Sequence, residues 1–247
     1  MRVDLNADLG ESYGAWAMGA DAELLPLITS ANVACGFHAG DPQVIAQTVA
    51  LAKRFGVRVG AHPGYPDRQG FGRRAMGLSP AEIRTDLLYQ IGAVAAFCRA
   101  EGVPLHHVKP HGALYNRAAV DGGAAEAIAA AIWSFDPGLI LYAPPGSQLQ
   151  KAGEARGLTV WCEVFADRGY RADGTLVPRD QPGALIEDAA KAESQVLQMI
   201  TEGTVTAVTG ERVPVRAQTI CLHGDGAHAL AFARRLRERL TAAGLLG

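Results

Sequence analysis

Long apolar runs, paired cysteines and an excess of either charge are all missing from this chain. No stretch reaches the roughly 18 consecutive apolar residues of a membrane-spanning helix, so no membrane role is expected. The four cysteines, Cys35, Cys98, Cys162 and Cys221, lie far apart with no CxxC pair. That spacing argues against a disulfide framework or a Cys-ligated zinc site and for a reduced, cytoplasmic protein. A formal net charge of -2 gives no basic footprint for nucleic acid or for an anionic lipid surface. The N-terminus enters a strand-like pattern without the charged-then-apolar opening of a signal peptide. Walker A, G-x-G-x-x-G after a strand and G-x-S-x-G are absent, which excludes P-loop ATP binding and serine-hydrolase chemistry by this chain. There is also no repeat, low-complexity segment or interdomain linker.

What is present is alternation. The 247 residues are 49% hydrophobic, enough for one sizeable core. Short apolar stretches at residues 3–8, 30–35, 57–61, 106–109, 139–143, 159–165 and 219–222 read as strands. Helix formers fill 42–55, 80–100, 119–135, 147–156, 185–201 and 226–243. "GDPQ" and "LSPAE" put a cap and a proline at helix starts, and Gly56, Gly102, Gly157 and Gly203 fall at helix ends. "TAVTGERVPVR" reads as a short hairpin. The alternation implies parallel strands with crossover helices. We expect an α/β fold, an irregular TIM-type (β/α)7-8 barrel in a single domain over residues 1–247, with a doubly wound open sheet as the alternative.

In either fold, chemistry gathers at the carboxyl ends of the strands, and the polar residues fall there. The first strand, in "VDLNADLGES", carries Asp4, Asn6 and Asp8 on one face and Val3, Leu5 and Ala7 on the other, with Glu11 just beyond. A strand buried on both faces should instead be nearly continuously apolar. The next strand ends supply Asn32, His38 and Asp41, then His62, then Lys109 and His111, then Glu163, Asp167 and Arg168, and lastly His223 and Asp225. Four of the seven histidines, His38, His62, His111 and His223, lie just past a strand.

Each residue also has a structural reading. Asp41 and Asp225 suit helix caps, Glu11 suits a solvated loop, and Asp4 suits a barrel-floor pair with Arg58. A thiol nucleophile at Cys35 is less expected than packing. Burying Asp8, His38, His62, Lys109, His111 and Glu163 together, however, would be costly without a function. Two loops are long for βα connections. "GYPDRQGFGRRAMG" carries Arg68, Arg73 and Arg74, and "ADRGYRADGTLVPRDQPG" carries Arg168, Arg171 and Arg179. They read as lids whose arginines suit a carboxylate or a phosphate.

The segments "DLNADLGES", "ANVACGFHAGDP", "GAHPGYPDRQGFGRR", "VKPHGALYN" and "EVFADRGY" closely resemble the LamB/YcsF family, the A subunit of bacterial ATP-dependent 5-oxoprolinase, in order and over nearly the whole chain. The resemblance implies a barrel related to the glycoside hydrolase/deacetylase fold. It implies conversion of 5-oxo-L-proline to L-glutamate with ATP, used with Mg by the assembled enzyme, and partner subunits B and C. In that picture B and C help to phosphorylate the lactam and this subunit opens the ring. Asp8, Lys109, His111 and Glu163 are the catalytic candidates. Asp8, Glu163 or a histidine would be the base, with Asp8 preferred, and Lys109 would neutralise developing charge. Asn6, Asn32, Arg68, Arg73, Arg168 and His223 are the substrate-binding candidates. Related deacetylases use an Asp and two His, a set that Asp8, His38 and His62 could supply to a divalent metal. That leaves a second reading, a metal-dependent deacetylase acting alone on an N-acetylated sugar or small amide. A third is a non-catalytic subunit. Homo-oligomerisation stays open.

Overall fold

The polar face of the first strand turns inward because the strands close into a barrel. The computed structural model describes residues 2–222 and 229–247. Seven strands form the barrel: β1 (Asp4–Leu9), β2 (Ser30–Ala34), β3 (Arg58–His62), β4 (Leu105–Val108), β5 (Ile140–Ala143), β6 (Val160–Phe165) and β9 (Thr219–Leu222). All pairings are parallel, and β9 pairs with both β6 and β1 to complete the ring. Between β6 and β9 lies the expected hairpin, β7 (Thr204–Thr206) antiparallel to β8 (Arg212–Pro214).

Helices return the chain between strands: α2 (Pro42–Phe55), α3 (Pro80–Glu101), α4 (Gly112–Val120), α5 (Gly122–Phe135), α6 (Gln148–Ala155), α7 (Ala189–Thr201) and α8 (Ala229–Ala242). None of the described helices is long and apolar enough to cross a membrane. Their boundaries follow cap chemistry. Asp41 accepts from Gln43 N and Val44 N ahead of Pro42. Ser79 and Glu82 form a capping box. Gly56 and Gly102 end α2 and α3 in the left-handed conformation.

The structure differs from expectation in three helical regions. Residues 119–135, expected as one helix, hold the end of α4 and the whole of α5, and most of α4 was not expected. Asp121 ends α4 and caps α5, its carboxylate accepting from Gly123 N and Ala124 N. The helix expected from 185 starts at Ala189, because Asp188 caps there and Leu185 bridges Arg168 instead. A short helix, α1 (Asp21–Leu24), and the 3-10 turn Leu25–Leu27 fill the β1–β2 connection, where no helix is expected from the sequence. The expected start of the last helix at 226, together with His223 and Asp225, lies outside the described residues.

Register stacks the inward side chains in layers. Asn6 is level with Ser30, Asp8 with Asn32, Asn32 with Gly60, and Gly60 with His107. Outward, Leu5, Ala7 and Leu9 are fully buried in the hydrophobic layer beneath the helices. Asp4 forms the floor. Its Oδ1 accepts from Thr29 (2.6 Å), Ser30 (2.7 Å) and Arg58 (2.8 Å), and its Oδ2 from Thr219 (2.6 Å) and Tyr142 (2.9 Å). The Asp4–Arg58 pair is the one expected. Above it Asn32 donates to Asn6 Oδ1 at 2.7 Å, and His107 Nε2 donates to Asn32 Oδ1 at 2.7 Å. The His107 ring fits only because residue 60 is glycine: a Cβ there would lie 2.2 Å from His107 Nε2.

Candidate active site

The upper layer is built around Lys109, the first residue past β4. Its backbone N–H donates to Ala61 O at 3.0 Å, which keeps the residue in the strand ladder and aims its side chain into the barrel. The Lys109 ammonium is buried, 2.9 Å from Asp8 Oδ1 and 2.9 Å from Glu163 Oε1, and it reaches Cys221 Sγ at 3.1 Å. Burial alone would lower its pKa. The Asp8 carboxylate, with Glu163, outweighs burial and holds Lys109 well above its ordinary value, so it is a fixed cation. Burial likewise pushes the Cys221 thiol well up, so it stays protonated beside Lys109.

The two carboxylates differ. Glu163 is fully buried; its Oε2 accepts from Tyr115 OH at 2.6 Å, and its Oε1 meets Lys109 Nζ at 2.9 Å as an ion pair without hydrogen-bond geometry. Asp8 Oδ1 accepts from Lys109 and from Asn32 Nδ2 (2.8 Å), while its Oδ2 faces His62 Nε2 at 3.3 Å. Asp8 is partly exposed at the floor of a cavity of about 890 Å³. Glu163 is therefore an anchor for Lys109, whereas Asp8 presents a carboxylate edge towards the cavity.

Beside this pair is a histidine cluster. His62 Nδ1 lies 2.7 Å from the Lys109 carbonyl, and its Nε2 lies 3.0 Å from His111 Nδ1. His111 Nε2 lies 2.7 Å from the Phe71 carbonyl. His38 stacks on His111, with ring centres 3.7 Å apart and planes 1° from parallel. Its Nε2 is 3.6 Å from Glu11 Oε1, and His111 Nδ1 is 3.8 Å from the same oxygen. Phe71 holds its carbonyl in place from a left-handed backbone (φ 54), a conformation costly for a non-glycine residue. The next residue, Gly72 (φ 63), has no room for a side chain, since a Cβ would lie 2.8 Å from both His38 and His111. Burial, with the neighbouring imidazoles adding to it, holds His38 well below its usual pKa and brings His111 down to about 3, so both rings are neutral at neutral pH.

One ligand atom from each of Glu11, His38, His62 and His111 lies within 4.8 Å of all the others, an arrangement that could hold a metal ion. Of the expected metal set, His38 and His62 fall in this group and Asp8 does not: Glu11 and His111 complete it. Asp8 Oδ1 is instead committed to Lys109 and Asn32.

The cavity is lined by Asp8, Lys109, His111, Glu163, Arg73 and Arg168, among others. Arg168 is buried and donates from Nε to Ala184 O (3.1 Å) and from Nη2 to Val177 O (2.7 Å), which ties its loop together at the cavity wall. Arg68 is engaged elsewhere, donating to Gly36 O at 2.7 Å with its guanidinium 3.7 Å from the Tyr13 ring centre, and it does not line the cavity. Asn6 and Asn32 lie beneath the cavity in the buried layer under Asp8. Sequence reasoning passed over Tyr115 and left Glu11 as a solvated residue. Tyr115 sits four residues after His111, one helical turn along "HGALY", and that spacing was its signal.

A model of the LamB/YcsF family matches residues 3–246. A Symbiobacterium thermophilum protein named as the A subunit of 5-oxoprolinase is 59% identical over 244 residues, which cover 99% of this chain and 94% of that one. The crystal structure of a lactam utilization protein from Thermus thermophilus superposes with a TM-score of 0.95 at 53% identity, covering 100% of this chain and 98% of the other. A GH113 beta-1,4-mannanase, 13% identical with a TM-score of 0.52, covers 96% of this chain and 99% of its own and shares the barrel fold alone.

Proposed function

The chain belongs to the LamB/YcsF family, and on that premise we propose that it is the component of an ATP-dependent 5-oxoprolinase that opens the ring of 5-oxo-L-proline. The observation that carries the reading is Lys109 Nζ, 2.9 Å from both Asp8 and Glu163 at the floor of the cavity. It also draws on relatives that are named for this activity.

A five-membered lactam is a stable amide, attacked slowly by water. Partner subunits B and C use ATP, with Mg, to help phosphorylate its oxygen, which makes the carbon electrophilic. Asp8 takes a proton from the attacking water. Lys109, held charged by the carboxylates beside it, offsets negative charge growing on oxygen without reorganising. Tyr115 and Glu163 keep Lys109 in place. Arg73 or Arg168 binds the ring carboxylate and orients it. The C–N bond breaks and the nitrogen takes a proton. Loss of phosphate to a second water leaves L-glutamate, so overall two waters and one ATP are consumed per lactam, with ADP and phosphate released.

A deacetylase acting alone is not favoured, because the high-identity relatives bear the oxoprolinase name and the mannanase likeness extends to fold only. The test is reconstitution: the purified chain mixed with its B and C partners, 5-oxoproline and ATP. Glutamate should accumulate only with all three components and ATP. Folded components that give no glutamate would overturn the reading.

A further inference from the structure

The hydrogen bonds of the histidine cluster bring two imidazole nitrogens face to face beside a carboxylate. A carbonyl oxygen only accepts. His62 Nδ1, 2.7 Å from the Lys109 carbonyl, must therefore carry its ring's proton, and so must His111 Nε2, 2.7 Å from the Phe71 carbonyl. The remaining nitrogens, His62 Nε2 and His111 Nδ1, lie 3.0 Å apart, and His62 Nε2 is also 3.3 Å from Asp8 Oδ2. A cation between or beside them, a proton or a metal ion, accounts for that approach. His38 is a second, independent sign. It is 1% exposed, and neither ring nitrogen has a hydrogen-bond partner. Its Nε2 points towards the Glu11 carboxylate at 3.6 Å.

We propose that Glu11, His38, His62 and His111 form a binding site for one divalent transition-metal ion. The donor set, three imidazoles and one carboxylate, suits zinc, cobalt(II) or iron(II) and offers too few oxygens for calcium or magnesium. The backbone partners agree. Metal-ligating histidines characteristically donate their other N–H to a carbonyl or carboxylate, as His62 and His111 do here. The strained Phe71 carbonyl and the side-chain-free surface of Gly72 are then parts of a scaffold that holds the ligands. Glu11, His62 and His111 line the cavity, so the ion would be reachable from it and would supply Lewis-acid polarisation of a ligand oxygen. The proposal is independent of lactam opening, because it rests on the ligands' own geometry.

The test reads binding, not turnover. Chelator-stripped chain, shown folded by circular dichroism, is titrated with cobalt(II) and then zinc(II), and followed by calorimetry and by the visible absorption of cobalt. We expect saturation at one ion per chain, a cobalt spectrum that zinc abolishes, and a raised melting temperature with either metal. Magnesium should do none of these. Glu11→Gln, the mildest change at the least buried ligand, should weaken binding at least about tenfold, the scale on which even outer partners of metal ligands act. His111→Ala should weaken it further. His106→Asn, outside the cluster, should leave it unchanged. Failure of the folded chain to bind cobalt or zinc saturably would overturn the proposal. So would binding that Glu11→Gln and His111→Ala leave intact, or a resting state in which a shared proton between His62 and His111 excludes metal.

Discussion

The floor and the mouth of this barrel are built from the same strands and from the same kinds of residue, yet they solve opposite problems. At the floor, Asp4 meets four hydroxyl donors and one arginine, and each of its oxygens accepts at least two hydrogen bonds. Such a buried carboxylate has nothing left to offer a ligand. At the mouth, a buried ammonium sits between two carboxylates, two imidazole nitrogens face each other at 3.0 Å, and a third imidazole has no hydrogen-bond partner. Local cost of that kind persists where a function requires it. A polar column inside a barrel is therefore structural where donors and acceptors match and functional where they do not.

The largest effect should come from removing the cation that organises the mouth. Lys109→Met leaves Asp8 and Glu163 facing each other without it. Turnover of the reconstituted enzyme should fall by about 100- to 1000-fold, the usual scale for an electrostatic stabiliser. Breaking a buried pair in this way should also cost about 3–5 kcal/mol of stability in denaturant unfolding. A smaller effect is expected from Tyr115→Phe, which deletes one donor to Glu163 and keeps the ring packed. A hydrogen bond to a charged acceptor is worth about 1.5–3 kcal/mol. We expect a lowered melting temperature and a fall in kcat of about tenfold, with KM little changed because the Tyr115 hydroxyl acts through Glu163. A Tyr115→Phe enzyme with unaltered kcat would detach Glu163 from catalysis and move it to the structural side of the comparison.

Much of this division was legible in the sequence. Period-two alternation in "VDLNADLGES" gave the inward face, and proline, glycine and cap residues placed the helix ends at Pro42, Gly56, Pro80 and Gly102 nearly to the residue. Strand-end position identified His38, His62, Lys109, His111 and Glu163 as a group. What could not be read was pairing across the ring. Choosing Glu11 over Asp8 as the fourth member of the histidine cluster depends on the turn at Gly10 (φ 67), whose N–H donates to Asp21 Oδ2 at 2.8 Å in a helix that carried no periodic signal. The break between α4 and α5 hangs on a single residue, Asp121, serving both helices. Ring tautomers depend on the backbone carbonyls of Lys109 and Phe71, which no side-chain pattern encodes. Arg68 read as a ligand for substrate because its loop is long and basic, whereas the fold gives its guanidinium the Gly36 carbonyl and the Tyr13 ring.

The central claim is that one strand carries a structural aspartate below and a functional one above, and it is tested most directly by measuring Asp4→Asn and Asp8→Asn side by side in the reconstituted enzyme. For each variant, the melting temperature of the isolated chain and kcat per folded chain are recorded. The account predicts that Asp4→Asn lowers the melting temperature and retains kcat, while Asp8→Asn retains a near-native melting temperature and loses about 100- to 10,000-fold in kcat, the range for a general base. Normal turnover by a folded Asp8→Asn enzyme, or loss of turnover without loss of stability in Asp4→Asn, would contradict it.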